Sequence, residues 1–235
     1  MTSRRTFLAA AGAAVISGCA TRPLGTPEST QVAAPDWRAG EAWIYRRTDG
    51  YTRLDAGSPV TRRVAEVGPT GIRITETTAF DTYVNNALWV NPNNMLSGTL
   101  SEYGPIIGRF DPPLRFHDFP LVSGKRWNQQ LYRIDSAGFR YFMTIEAWVE
   151  GWDTMEVAGR PVRVIAVRRE MLLGQLPPSL GSSVGNAYRS DTEWYAPELG
   201  SFVRLNQMER WQPNRGQLGT APGNWFVWQM ERAGA

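Results

Sequence analysis

The sequence predicts an all-β protein, a curled antiparallel sheet forming an incomplete barrel or a sandwich of about nine or ten strands with little helix. Three observations carry this. Phe139–Trp152 alternates strictly over its whole length: Phe139, Tyr141, Met143, Ile145, Ala147 and Val149 share one face, and Arg140, Phe142, Thr144, Glu146, Trp148, Glu150 and Trp152 the other. A period of two held that long cannot come from a helix. Turn punctuation recurs between apolar runs, and no three-turn amphipathic helix can be drawn anywhere in the chain.

Taken in order, Trp43–Thr48 forms a strand ending at Asp49-Gly50, a hairpin signal. Val60–Val67 runs into Gly68-Pro69-Thr70-Gly71 and out through Ile72–Phe80. The amide-rich stretch holding Asn85, Asn86, Asn91, Asn93 and Asn94 reads as turns. Leu96–Pro120, with Tyr103, Phe110, Phe116, Phe119 and several prolines, reads as a long loop of functional type. Trp127–Ile134 and Phe139–Trp152 flank the hairpin Asp135-Ser136-Ala137-Gly138.

Val162–Met171 is apolar on both faces from Val164 to Val167 and belongs in the middle of the sheet. Gly174–Ala187 is rich in Gly, Ser and Pro and reads as a flexible loop. Tyr188–Tyr195 and Phe202–Trp211 are joined by Ala196-Pro197-Glu198-Leu199-Gly200, which suits a type I turn. Trp225–Glu231 closes the chain. Gly40-Glu41-Ala42-Trp43 and Gly124-Lys125-Arg126-Trp127 both place G-x-x-W before a strand, which fits two half-domains or one continuous sheet.

Before all this stands a processing segment. Met1–Arg5 is basic, and Thr6–Ser17 is apolar but shorter than the ~20 residues a spanning helix needs. Ile16-Ser17-Gly18-Cys19 resembles the lipobox of bacterial lipoproteins. The resemblance implies cleavage before Cys19, thioether lipidation of its sulfur and acylation (palmitate or a similar chain) of the new amino terminus. Ser3-Arg4-Arg5-Thr6-Phe7-Leu8 resembles the twin-arginine export motif, carried by Arg4 and Arg5, although Ala9 stands where the motif usually has Lys. Ala20 after the cysteine, by the sorting rule of the lipoproteins it resembles, favours the outer membrane, with the domain facing the periplasm. The expected organisation is a signal peptide over 1–19, a flexible tether over 20–36 spanning ~22 Å, and one β-rich domain over 37–235.

Composition narrows the chemistry. The chain carries +3, of which Arg4 and Arg5 leave with the leader, so the remainder is near +1. No basic run interleaves with aromatics, which argues against a nucleic-acid partner. Arginines greatly outnumber lysine, Lys125 being the single one, a bias that GC-rich coding explains. With Cys19 the sole cysteine, no disulfide is available. The ten tryptophans fit a β-protein core, or stacking platforms for sugars or lipids. His117 is the only histidine and reads as a loop residue; a zinc site needs several His or Cys. No nucleophile elbow, phosphate loop or calcium loop occurs, so no catalytic residue, cofactor or metal is expected. The one catalytic device left is a carboxylate pair, Glu146 and Glu150, beside Trp148 and Trp152.

Met155–Val167 and Thr192–Arg204, the latter containing Trp194-Tyr195-Ala196-Pro197-Glu198-Leu199-Gly200, resemble a group of Gram-negative envelope domains with a W-Y-A-P-E-x-G signature. That group is loosely similar to the LolA/LolB lipoprotein carriers, whose fold is an incomplete antiparallel barrel with an apolar concave face. The expected function is thus a membrane-anchored, non-enzymatic binding or scaffold lipoprotein, its partners being the membrane through Cys19 and an apolar ligand or an envelope protein. Phe142, Trp148 and Trp152 are the expected ligand-binding aromatics. The alternatives are a structural component of an envelope assembly without a small ligand, and a carbohydrate-active enzyme using the carboxylate pair.

Overall fold

The computed structural model describes residues 25–79, 83–100, 107–175, 184–213 and 221–234. The segment expected as a leader, with Arg4, Arg5 and Cys19, lies outside the described residues. Twelve strands follow one another: β1 (Ala42–Asp49), β2 (Val60–Gly68), β3 (Gly71–Thr77), β4 (Tyr83–Asn91), β5 (Asn94–Thr99), β6 (Ile107–Arg115), β7 (Arg126–Ile134), β8 (Arg140–Val157), β9 (Arg160–Gln175), β10 (Val184–Ala196), β11 (Ser201–Pro213) and β12 (Ala221–Ala233). Each pairs antiparallel with its neighbours in sequence, and β1 also pairs with β12, so the sheet closes into a barrel. Closure removes every sheet edge and its unpaired amides.

The all-β antiparallel expectation is met, with more strands than nine or ten and with full closure. The additional strands are β4, β5 and β6. Asn91 and Asn94 do make a turn, the Asn91 side-chain oxygen accepting from the Asn93 and Asn94 amides. Asn85 and Asn86, however, lie in β4, opposite Glu76 and Thr75. The long loop expected over Leu96–Pro120 contains the end of β5 and all of β6. The flexible stretch expected over Gly174–Ala187 contributes its ends to β9 and β10.

Individual elements obey their sequence signals. In β8, Met143, Ile145, Ala147 and Val149 point into the core, until a bulge at Val149–Gly151 shifts the register and buries Trp152 as well. Val164, Ile165, Ala166 and Val167 are all fully buried, as a central strand requires. The Pro197–Leu199 turn is a single 3-10 turn, with the Gly200 amide donating to the Pro197 carbonyl. The chain reverses at Asp49-Gly50, in a turn wider than two residues: Thr48 bridges Asp55, the Asp49 amide donates to Leu54 and the Ala56 amide to Arg47, and the Asp49 carboxylate accepts from the Tyr51 and Thr52 amides; the chain then runs on to β2.

One end of the barrel, here the lower, gathers the entering chain, the turns 91–94, 157–160 and 196–201, and the β6–β7 connection. The segment expected as the end of the tether is laid against this end from Gly25 onward. Thr26 exchanges backbone bonds with Trp152 (2.6 and 2.8 Å) and Val32 with Leu121 (2.9 Å each), while Glu28 ion-pairs with Arg163. Trp37 donates its indole N–H to the Gly200 carbonyl and meets Trp89 edge-on. Val32, Trp37, Phe119 and Leu121 are buried there as a plug.

The two G-x-x-W sites open β1 and β7, the first strands of two successive sets of six, with the same geometry. The Gly40 amide donates to Val64 and the Val64 amide to Glu41; the Gly124 amide donates to Val149 and the Val149 amide to Lys125. Each glycine is the third residue of a turn closed by Glu41 on Arg38 or by Lys125 on Val122, and each has a positive φ, 95° and 82°. A β-carbon at either would touch nothing within 4 Å, so only the backbone demands glycine. Gly40→Ala and Gly124→Ala should therefore each lower the unfolding free energy by about 1–2 kcal/mol and add when combined. Denaturant titration of the three variants checks this, and a cost at only one site contradicts the equivalence of the turns.

Candidate functional site

Three strands in the longest part of the barrel turn charge inward. Along β10 the lumen-facing positions are Ala187, Arg189, Asp191, Glu193 and Tyr195, all buried, while Tyr188, Ser190, Thr192 and Trp194 alternate outward. On β11 Gln207 and Glu209 are buried among Val203, Leu205 and Trp211, and on β9 Arg169 follows Val167. From the other side Arg62 of β2 and Glu76 of β3 face each other as an ion pair.

Arg169 is the centre of this cluster and is fully buried. Its guanidinium ion-pairs with Glu193, lies 3.7 Å from Asp191 and sits 4.0 Å above the ring of Phe116. Arg189 clasps Asp191 through two bonds of 2.8 Å and donates a third to the Leu100 carbonyl. His117 comes from the β6–β7 connection, so it does stand outside the strands. Its ring is nevertheless buried in the lumen, stacked on Trp89 and bordered by Phe116, Phe119 and Tyr195. His117 Nε2 lies 3.1 Å from Glu193 Oε1.

Burial alone would raise the Glu193 pKa, but the charge of Arg169 and the contacts of His117 outweigh it. They hold the carboxyl well below its ordinary 4.5. For Tyr195, burial followed by the nearby Glu193 charge pushes the phenol well above its ordinary range. An ionised Glu193 cannot donate, so His117 Nε2 carries the proton between them.

A cavity of about 70 Å³ remains in the lumen, walled by Arg62, Glu76, Trp89, His117, Arg189, Glu193 and Trp228 among others. At ~30 Å³ for each water, it has room for about two. Pockets for drug-sized ligands run to several hundred Å³. Side chains and ion pairs occupy the lumen around it, leaving far less room than an acyl-chain ligand needs.

The aromatics expected to bind a ligand are not brought together. Phe142 is on the outer face of β8, 45% exposed, against Tyr132. Trp148 is on the same outer face, between the guanidinium groups of Arg126 and Arg168. Trp152, ten positions beyond Phe142 and so ~33 Å along the strand, is buried under Arg163. Glu146 and Glu150 also face outward; Glu146 is exposed, and Glu150 accepts the Trp148 indole N–H at 2.8 Å. That surface is no cleft, and the glycosidase geometry is not built there.

The outer wall carries exposed Arg46, Arg63, Asn128, Glu146, Arg163 and Arg210 along its strands. A membrane-spanning barrel needs an outward apolar band ~25 Å tall, which these residues interrupt. No helix among the described residues is long and apolar enough to cross a membrane, and no group of acids, His or Cys among them could hold a metal ion.

No known family matches the chain, and no curated protein matches it. Similar solved structures include the hypothetical lipoprotein YmcC from Escherichia coli K12, with 12% identity over 85% of this chain and 92% of that one and a TM-score of 0.41. A lipoprotein candidate from Parabacteroides distasonis has 14% identity over 88% and 100%, with a TM-score of 0.47. An exported-protein candidate with a YmcC-like fold from Bacteroides fragilis has 15% identity over 88% and 100%, with a TM-score of 0.45.

Removing one partner of a buried ion pair strands the other, at a cost of about 3–5 kcal/mol. Glu193→Gln should lose about that much stability at pH 7. Since the folded-state pKa of Glu193 lies below its unfolded value, its contribution is complete above about pH 5 and drains as pH falls below 4.5. The gap between wild type and variant should accordingly narrow with acidification, as urea unfolding at several pH values will show. A gap that stays constant down to pH 3 contradicts the assignment.

Proposed function

We propose that the chain is a lipid-anchored protein of the bacterial cell envelope whose barrel is a non-enzymatic binding or scaffold module. The single observation that carries the anchor is the position of the only cysteine, Cys19, directly after an apolar segment and Ile16-Ser17-Gly18. Two or more acyl chains, each buried methylene adding ~0.8 kcal/mol, hold a protein on a bilayer stably where a single chain does not. Ala20 supports the outer membrane with the barrel in the periplasm, and Arg4-Arg5 supports export of a folded domain. A pre-folded, closed barrel is a suitable cargo for that route.

The packing of the lumen supports a scaffold or a receptor for something small over a carrier of acyl chains. Ion pairs occupy the wall that a LolA-like carrier would leave apolar, and a lipid tail would have to displace them. The barrel then presents a rigid, polar-surfaced body close to the membrane.

Cys19→Ala tests the anchor. Wild-type protein expressed in a Gram-negative host should take up an alkyne-tagged palmitate analogue and sediment with membranes. The variant should take up none and remain unprocessed. Wild type recovered soluble, with the leader attached and the Cys19 thiol free, would overturn the proposal. Native mass spectrometry of gently extracted protein should show no bound fatty acid or phospholipid beyond the covalent anchor.

A further inference from the structure

The chain is fixed where it meets the barrel. Two backbone bonds hold Thr26 to Trp152, and two more hold Val32 to Leu121. Between them the Glu28 amide donates to Ser123 Oγ at 3.1 Å, and the Glu28 carboxylate pairs with Arg163. At the first of these points two glycines meet. A β-carbon on Gly25 would come within 2.7 Å of the Gly151 carbonyl carbon, and one on Gly151 within 2.8 Å of the Thr26 carbonyl oxygen. Gly25 also has a φ of 93°, so the contact requires glycine on sterics and on backbone conformation alike.

Length then decides which end of the barrel can reach a membrane. Six residue steps separate Cys19 from Gly25, at most about 22 Å of fully extended chain. The upper end is farther away than that. β8 begins at Arg140, eleven positions above Gly151, which is ~36 Å along the strand and, at the ~35–45° strand tilt of a barrel, about 25–30 Å along the axis. An inverted barrel with its upper end on lipid would lift Gly25 higher than the chain can span.

Apolar exposure alone would have chosen that upper end, since Tyr51, Leu54, Tyr132, Phe139 and Phe142 are exposed in or beside its turns. The short connection overrules it. Nor does the wall of β8 offer a side to lie on. Between Phe142 and Trp148 its outer face carries Thr144 and the exposed Glu146, and Glu170 of β9 stands opposite Glu146. Carboxylates thus interrupt the aromatic strip, and an anionic lipid surface repels them.

We propose that the lower end of the barrel faces the lipid bilayer, with the turns 157–160 and 196–201 nearest the headgroups and the Asp135–Gly138 hairpin directed away. The proposal rests on the Cys19 anchor and adds the surface that meets the membrane, set by the docking of Gly25–Val32 on the barrel.

Lipidation consumes the only native cysteine, so one introduced cysteine can be labelled alone. Ala158→Cys at the lower turn, Glu146→Cys on the wall and Ser136→Cys at the upper hairpin all replace exposed residues. Each full-length lipidated variant is labelled with a fluorophore and placed on phosphatidylethanolamine–phosphatidylglycerol vesicles carrying an acceptor dye on the headgroups. Energy transfer should be several-fold stronger from position 158 than from position 136, with position 146 between them. Transfer from 136 equal to or stronger than that from 158 overturns the proposal. Transfer from 146 as strong as from 158 describes a barrel lying on its wall and overturns it too. Gly25→Val, which disturbs only the docked entry, should leave the protein on the vesicles and bring the three signals together; an unchanged contrast overturns the role given to that segment. Protein that does not attach to vesicles at all contradicts the Cys19 anchor and this proposal with it, whereas attached protein with the wrong ranking contradicts the orientation alone.

Discussion

The pairing of Arg169 with Glu193 inside the barrel is the contact on which the rest of the lumen depends. A strand whose lumen face reads Arg189, Asp191, Glu193 can be turned inward only if each charge finds a partner there, because an isolated buried charge would cost far more than the whole net stability of a domain. Arg169 on β9 meets both acids of β10, Arg189 closes on Asp191 within its own strand, and His117 fills the remaining side of Glu193. Since a slip of one residue would carry all three charges outside and Trp194 inside, the network also fixes the register of β9 against β10. Such pairs contribute more to specificity of pairing than to net stability. Arginine suits this role because its planar fork binds carboxylates from two edges at once. The coding bias that explains the arginine count does not explain where Arg169 and Arg189 sit.

The strands that carried apolar alternation were legible in the sequence, β8 and β9 most clearly, because a half-buried or fully buried face leaves a period of two or an unbroken apolar run. The stretch from Asn85 to Pro120 was not. Asparagine in β4 reads as a turn former, yet the Asn85 side chain accepts the Thr99 amide at 3.0 Å and so takes its place in the sheet. Prolines in β6 hide a strand because they supply no ladder amide. The candidate site was largely illegible. Tyr188–Tyr195 could be read as a strand, but nothing local says that its charged face is the buried one; that depends on Arg169, some twenty residues away, and on His117 from the β6–β7 connection. The alternation R-x-D-x-E beside a matching arginine was the only available signal. Phe142, Trp148 and Trp152 share one face of an ideal strand, and the bulge at Val149–Gly151 turns Trp152 to the buried side instead.

Closure and filling together set what the barrel can do. A half-open sheet with an apolar concavity could shelter a lipid tail; a closed sheet around ion pairs leaves only a small cavity. The lower end is sealed by the chain's own entry, Val32 against Leu121 and Trp37 against Gly200. The chain is therefore part of the folded body from Gly25 onward, inside the stretch that the sequence suggests as a flexible tether. The matching turns at Gly40 and Gly124 divide the same closed sheet into two sets of six strands, so the half-domain and continuous-sheet readings of the G-x-x-W sites both describe this molecule.

The account rests on buried, fixed guanidinium groups in the lumen, and nitrogen-detected or ¹⁵N–¹H spectra of arginine side chains observe these directly. At neutral pH and 25 °C, Arg169 and Arg189 should give separate Nη–H signals that exchange slowly with solvent and disappear one by one in Arg169→Gln and Arg189→Gln. If every arginine in the chain instead shows the averaged, rapidly exchanging signal of a solvated side chain, the charged lumen described here does not exist.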